Sequence, residues 1–143
     1  MRSRDAINAP EALVLTMVLV SAADGSMTDR EIGIMSGLVR TLPAFQEFTT
    51  SELADVTERA VSLLHEDDGL AHAARLMRAA LNSKLRETAY ALACEVIAGG
   101  DGARRRSLDM LEFVRDELGL DTLISTAIER GVRARYQRVD PAE

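Results

Sequence analysis

Ala22-Ala23-Asp24-Gly25-Ser26-Met27-Thr28-Asp29-Arg30-Glu31 separates two apolar helical patterns and sets three carboxylates within eight positions. Upstream, the run from Ala12 to Val20 is apolar apart from Thr16. Pro10 suits the first turn of a helix. A helix from Pro10 to about Ala23, buried on most faces, is therefore expected, with Gly25 as a left-handed cap. Downstream, Thr28 and Glu31 have the spacing of a capping box, and Met27 and Ile32 hold the two hydrophobic-staple positions. Ile34, Met35, Leu38, Val39 and Leu42 then recur at helical spacing until Pro43 stops the pattern.

A related segment, Gly99-Gly100-Asp101-Gly102, follows a second apolar run from Ala89 to Ala98. Laying Asp24 on Asp101 pairs Leu15 with Leu92, Val20 with Ile97 and Gly25 with Gly102. Deleting one residue from the later copy then brings Met35 onto Leu111, Leu38 onto Val114 and Leu42 onto Leu118. Each copy reads as helix, Asp-Gly loop, helix. Two such units around one core form a pseudo-two-fold bundle, with both loops expected at one end.

Between and beyond the copies the helical period persists. An apolar connector from Ala44 to Phe48 precedes a helix starting at Thr49 or Thr50, with Glu52 placed for a second capping box and Leu53, Val56, Ala60, Leu63 and Leu64 inward. A helix from Leu70 to Leu81 is broken at Asn82-Ser83, which caps the helix running to about Ala98. A sixth helix is expected from Ser107 to Leu118, with Leu108, Leu111, Val114 and Leu118 inward and Gly119 as its C-cap. Asp121 caps a seventh, ending in Arg130, Arg133, Arg135 and Arg138. Residues 1–8 and the tail from Asp140 to Glu143 read as loose ends. No segment reads as a strand and no linker divides the chain. The fold class is all-α, a single bundle of about seven helices across 1–143, with its core in about 10–138.

The totals agree. A chain of 143 residues with 47% hydrophobic and 28% charged residues suits one globular domain, and 3% aromatics with few β-branched runs favour helix. A net charge of −6 gives no general attraction to nucleic acid, so none is expected as a partner. Arg2 and Arg4 before an apolar run resemble a signal peptide. The same kind of run before Asp101 makes a core helix the better reading, and a run of nine residues falls short of the ~20 that span a bilayer.

Ala22-Ala23-Asp24-Gly25 with Glu31, Leu85-Arg86-Glu87-Thr88-Ala89, the second Asp101-Gly102 and the closing Leu118-Gly119-Leu120 together resemble the tellurite-resistance TerB-like family, over about residues 10–130. The resemblance implies a compact helical protein of the bacterial cytoplasm, associated with stress from toxic oxyanions, whose acidic residues bind a divalent metal. It implies protein partners and leaves a homo-oligomer open.

The residues offer two readings of the acidic loop. Asp24 follows the C-terminal end of a helix, where a carboxylate opposes the dipole. A hard cation of the calcium or magnesium type would offset this, with Asp24 and Glu31 as ligands and Asp101 as a third. Alternatively Asp24 binds loop amides in an Asx-turn and Glu31 only caps the helix at Thr28. The second copy departs from the pattern, because Ser107 stands where Glu31 would and Arg104, Arg105 and Arg106 crowd the loop. Their positive charge could stand where a metal would, pairing with Asp101 or with acids of the first loop, or the three could form a solvated basic turn. Glu95, set among apolar residues, needs a partner, for which Arg75, Arg78 or the loop arginines are candidates. Cys94 reads as an inert buried thiol. His65 and His72 do not form a zinc pattern. No nucleophile elbow, phosphate loop or dinucleotide fingerprint occurs, so a non-catalytic role is expected: a metal-responsive stress protein, or an interaction module whose acidic loops are structural.

Overall fold

Three helices begin with the same local device. Asn8, Thr28 and Thr49 each accept from the backbone N–H three residues on, while Glu11, Glu31 and Glu52 reach back to the cap N–H. These open α1 (Ala9–Ser21), α2 (Asp29–Thr41) and α3 (Thr50–Leu64). The cap corrects the expectation of a loose end at Asn8; residues 1–5 and the tail 140–143, also expected to be loose, lie outside the described residues. In this computed structural model the described residues are 6–25, 27–100 and 104–139. They continue with α4 (Gly69–Ala80), α5 (Ser83–Gly99), α6 (Arg105–Leu118) and α7 (Thr122–Arg135), and with a short 3-10 turn at Pro43–Phe45. Among them there is no strand, and no helix is long and apolar enough to cross a membrane.

The termini follow from their residues. Proline lacks an N–H and cannot continue α2, so Pro43 redirects the chain into the 3-10 turn, which buries Phe45 and Phe48 side by side. At the α3–α4 turn Asp68 takes a left-handed φ of 56°. A Cβ on Gly69 there would lie 2.3 Å from the Leu63 carbonyl oxygen, so only glycine fits. The last carbonyls of α4 are met by Arg86 of α5, which donates to Arg78 O and Leu81 O. Gly119 closes α6 at φ 66°, and Asp121 caps α7.

Every residue of α1 from Ala12 to Ser21 is buried, as its all-round apolar sequence requires. The one polar group in mid-helix, Thr16, is satisfied by donating to Ala12 O at 2.8 Å. α1 packs on α5 at the centre, α2 lies on α5, and α6 lies across both α1 and α5. That reciprocal arrangement is the internal two-fold expected from the repeat. α3 and α4 then cover α1, and α7 covers α5.

Two details of α6 differ from expectation. It begins at Arg105 rather than Ser107, with Arg104 at the cap position and no side chain capping it. Leu108, expected inward, is 46% exposed, whereas Val114 and Leu118 on the same stripe are fully buried. Period fixes which face of a helix is apolar, and here no element covers the first turn of that face.

Candidate functional site

At one end of the bundle Glu31, the third residue of α2, joins three segments. Its Oε1 accepts from Thr28 N at 2.9 Å and from Ser21 Oγ at 2.9 Å, while Thr28 Oγ1 accepts from Glu31 N at 3.2 Å. Ser21 is the buried last residue of α1, so this carboxylate ties the end of one helix to the start of the next. Gly100, where the second loop begins, packs against it. A Cβ on Gly100 would lie 2.9 Å from Glu31 Cγ, and one on Gly99 would lie 2.8 Å from both Ile34 and Tyr136, the residue that follows α7. Both loops therefore share this end, as the repeat predicted.

Asp24 lies just beyond the end of α1, where Gly25 turns with a φ of 118°. Its partner among the described residues is Arg104, whose Nη1 stands 3.4 Å from Asp24 Oδ2, rather than a loop amide. Of the pairings open to the loop arginines, this is the one with an acid of the first loop; Asp101 lies outside the described residues. Arg104 is 57% exposed, so the pair contributes less than about 1 kcal/mol. Of the three expected metal ligands, Asp24 and Glu31 reach the same end, and Asp101 lies outside the described residues. Calcium and magnesium take six or more oxygen ligands. Among the described residues no group of three His, Cys, Asp or Glu is arranged to hold a metal ion, and both carboxylates already have partners. The described residues fit such an ion poorly.

A second polar cluster joins α5 to α7. Tyr90, buried in α5, donates its hydroxyl to Glu129 of α7. Tyr136 donates to Glu95 Oε1 at 2.6 Å, and Arg135 Nε stands 3.1 Å from Glu95 Oε2. Glu95 thus finds its partners on α7, not in Arg75 or Arg78. Arg78 instead pairs with Glu117. Burial and the adjoining Glu129 carboxylate push the Tyr90 phenol well above its ordinary value. Burial, helped by Glu129, pushes the Cys94 thiol up to about 12. Such a thiol stays protonated at neutral pH and is no nucleophile there.

These groups floor a groove of about 570 Å³ between α6 and α7, walled by Leu108 and Leu111 on one side and Val132 and Arg133 on the other. A groove of similar volume, about 580 Å³, lies between α1, α3 and α4, where His72 Nδ1 is 3.6 Å from Glu66 Oε1. Sequence reasoning missed Ser21 and the Tyr90–Glu129 pair as partners, and left open which loop arginine meets Asp24. A tyrosine inside an apolar helix does signal that its hydroxyl needs an acceptor, although it does not say where.

Compared with protein-family models, with curated proteins and with solved structures, the chain matches none of them.

Proposed function

We propose that this chain is a non-catalytic, TerB-like helical module of a bacterial stress response that works by holding a protein partner, with its acidic loops serving the fold. One observation carries this choice over a metal-binding role. Both acids at the loop end have partners from the chain itself, Asp24 in Arg104 and Glu31 in Ser21 and Thr28. A protein that neither binds a cation nor presents an activated nucleophile acts through its surface.

Calorimetric titration with calcium, magnesium, manganese and zinc tests this reading. The expected outcome is no saturable heat with any of them. Saturable binding that disappears in Asp24→Asn would overturn it and install the cation reading, with Asp24, Glu31 and Asp101 as ligands. One observation keeps that second reading in view: Arg104–Asp24 is a long and exposed pair, which a divalent ion could displace at little cost.

A further inference from the structure

Each half leaves a seam between its second and third helices, about 380 Å³ between α2 and α3 and a wider one between α6 and α7. α3 follows α2 and packs on both α1 and α2, whereas α7, which follows α6 in the same way, packs on α5 and barely meets α6. The result is the groove of about 570 Å³, with Tyr90, Cys94 and Ile97 of α5 as its floor. The apolar stripe of α6 grades along this seam. Leu118 and Val114 are buried, Leu111 is half-buried, and Leu108 faces solvent on the groove wall. Among the described residues, the stripe thus runs on past the point where a neighbouring element covers it.

We infer that this seam seats one amphipathic helix of a partner protein, with an acidic residue of that helix on Arg133. The inference rests on the interaction reading above and deepens it. The α6 wall runs from Leu108 to Arg115, opposite Glu129 to Gln137, and gives a seat of about 12 Å, the length of two helical turns. A seat flanked by two helices and floored by a third suits a helix presenting apolar anchors at i, i+3/i+4 and i+7. A small molecule is the poorer fit, because such ligands are enclosed over most of their surface and this seam is open along its length. The charges select the sign of the partner. Glu129 is held by Tyr90, while Arg115 is shared between Glu112 and Asp116. Among the described residues lining the groove, Arg133 is the cation without a carboxylate partner.

Fluorescence anisotropy with a labelled 16-residue helical peptide tests the proposal. The peptide carries leucines at i, i+3/i+4 and i+7 and flanking glutamates; its twin carries lysines instead. The intact chain should bind the acidic peptide saturably. Binding should weaken at least tenfold in Leu108→Glu and in Arg133→Glu, and Arg133→Glu should now prefer the lysine twin. Both side chains are exposed, and circular-dichroism melts of the two variants should match the parent. Equal affinities across the variants, or no reversal of charge preference, would overturn the proposal. So would a dimer in sedimentation that Leu108→Glu dissolves, which would give the seat to a second copy. If a stoichiometric native partner survives both substitutions, the seat is wrong while the interaction reading stands. A saturable cation site lost in Asp24→Asn removes the interaction reading instead.

Discussion

Replacing Glu31 by alanine removes one oxygen that serves two donors from different helices. The Thr28 amide is the cap of α2, and losing a cap costs about 1 kcal/mol. The Ser21 hydroxyl is buried, and a buried donor left without an acceptor costs about 1–3 kcal/mol. Together Glu31→Ala should lose about 3 kcal/mol. At about 2.1 cal/mol/K per residue a domain of 143 residues has an unfolding entropy near 0.3 kcal/mol/K, so Tm should fall by about 10 °C. Glu31→Gln keeps an acceptor oxygen in place and loses only the charge at the helix start, about 0.3–1 kcal/mol. It should lower Tm by less than about 3 °C.

Ser21→Ala supplies the control that isolates the link between the helices. It removes the donor, so Glu31→Ala in that background should cost about 1–2 kcal/mol less than in the parent. Thermal melts with and without EDTA complete the test, and the chelator should change none of these values. If Glu31→Gln proves as damaging as Glu31→Ala, the charge matters rather than the acceptor, and the capping account fails. If the damage appears only when a divalent ion is supplied, Glu31 is a ligand and the reading of this end of the bundle is wrong.

Three other outcomes follow from single features. Gly69→Ala would drive a Cβ to 2.3 Å from the Leu63 carbonyl and should cost on the order of 3 kcal/mol in denaturant unfolding; a neutral substitution would mean that the turn relaxes freely. The Cys94 thiol, raised to about 12 by burial, should resist thiol reagents at neutral pH until the chain unfolds. Above about pH 9 the unfolded thiol ionises before the folded one, so the native state holds more protons and stability should fall between about 9 and about 12, a slope that Cys94→Ala should reduce in pH-dependent melts. A double-mutant cycle on Asp24→Asn and Arg104→Gln should give a coupling of about 0.5 kcal/mol at low salt that vanishes at 1 M, where the Debye length is about 3 Å; no coupling at low salt would free Asp24 for another role.

What could be read in the chain was what lies within one helical turn. Thr28 with Glu31, Thr49 with Glu52 and the glycine at 119 are relations over four positions or fewer, and each was legible. Asn8 with Glu11 has the same spacing, but Pro10 between them is itself a helix-start signal and masks it. The repeat placed both loops at one end, since two copies of one unit around one core have that symmetry. Contacts across the bundle were not legible. Ser21 reaches Glu31 over ten positions, Arg104 reaches Asp24 over eighty, and Arg135 reaches Glu95 over forty. Any acid in an apolar stretch demands a counter-charge, but several arginines stood equally close in sequence, and packing chose one on α7. Leu108 failed for a related reason. Periodicity gives the face of a helix, and only the placement of neighbours decides whether that face is covered.

The two copies of the unit have therefore diverged in how they start their second helix. In the first, Thr28 and Glu31 meet the free N–H groups of α2 locally. In the second, Arg104 stands at the cap with no side chain capping it, and Arg105 and Arg106 add positive charge at the positive end of α6. That arrangement opposes the helix dipole by a few tenths of a kcal/mol per residue. It can persist because the other copy supplies the correction, Asp24 setting a negative charge beside Arg104 across the loop end. An acid that looks like a ligand from its own loop is, in the folded molecule, the counter-ion of its twin. On this reading the loop end holds the halves together, and the proposed recognition falls to the wider of the two seams, between α6 and α7.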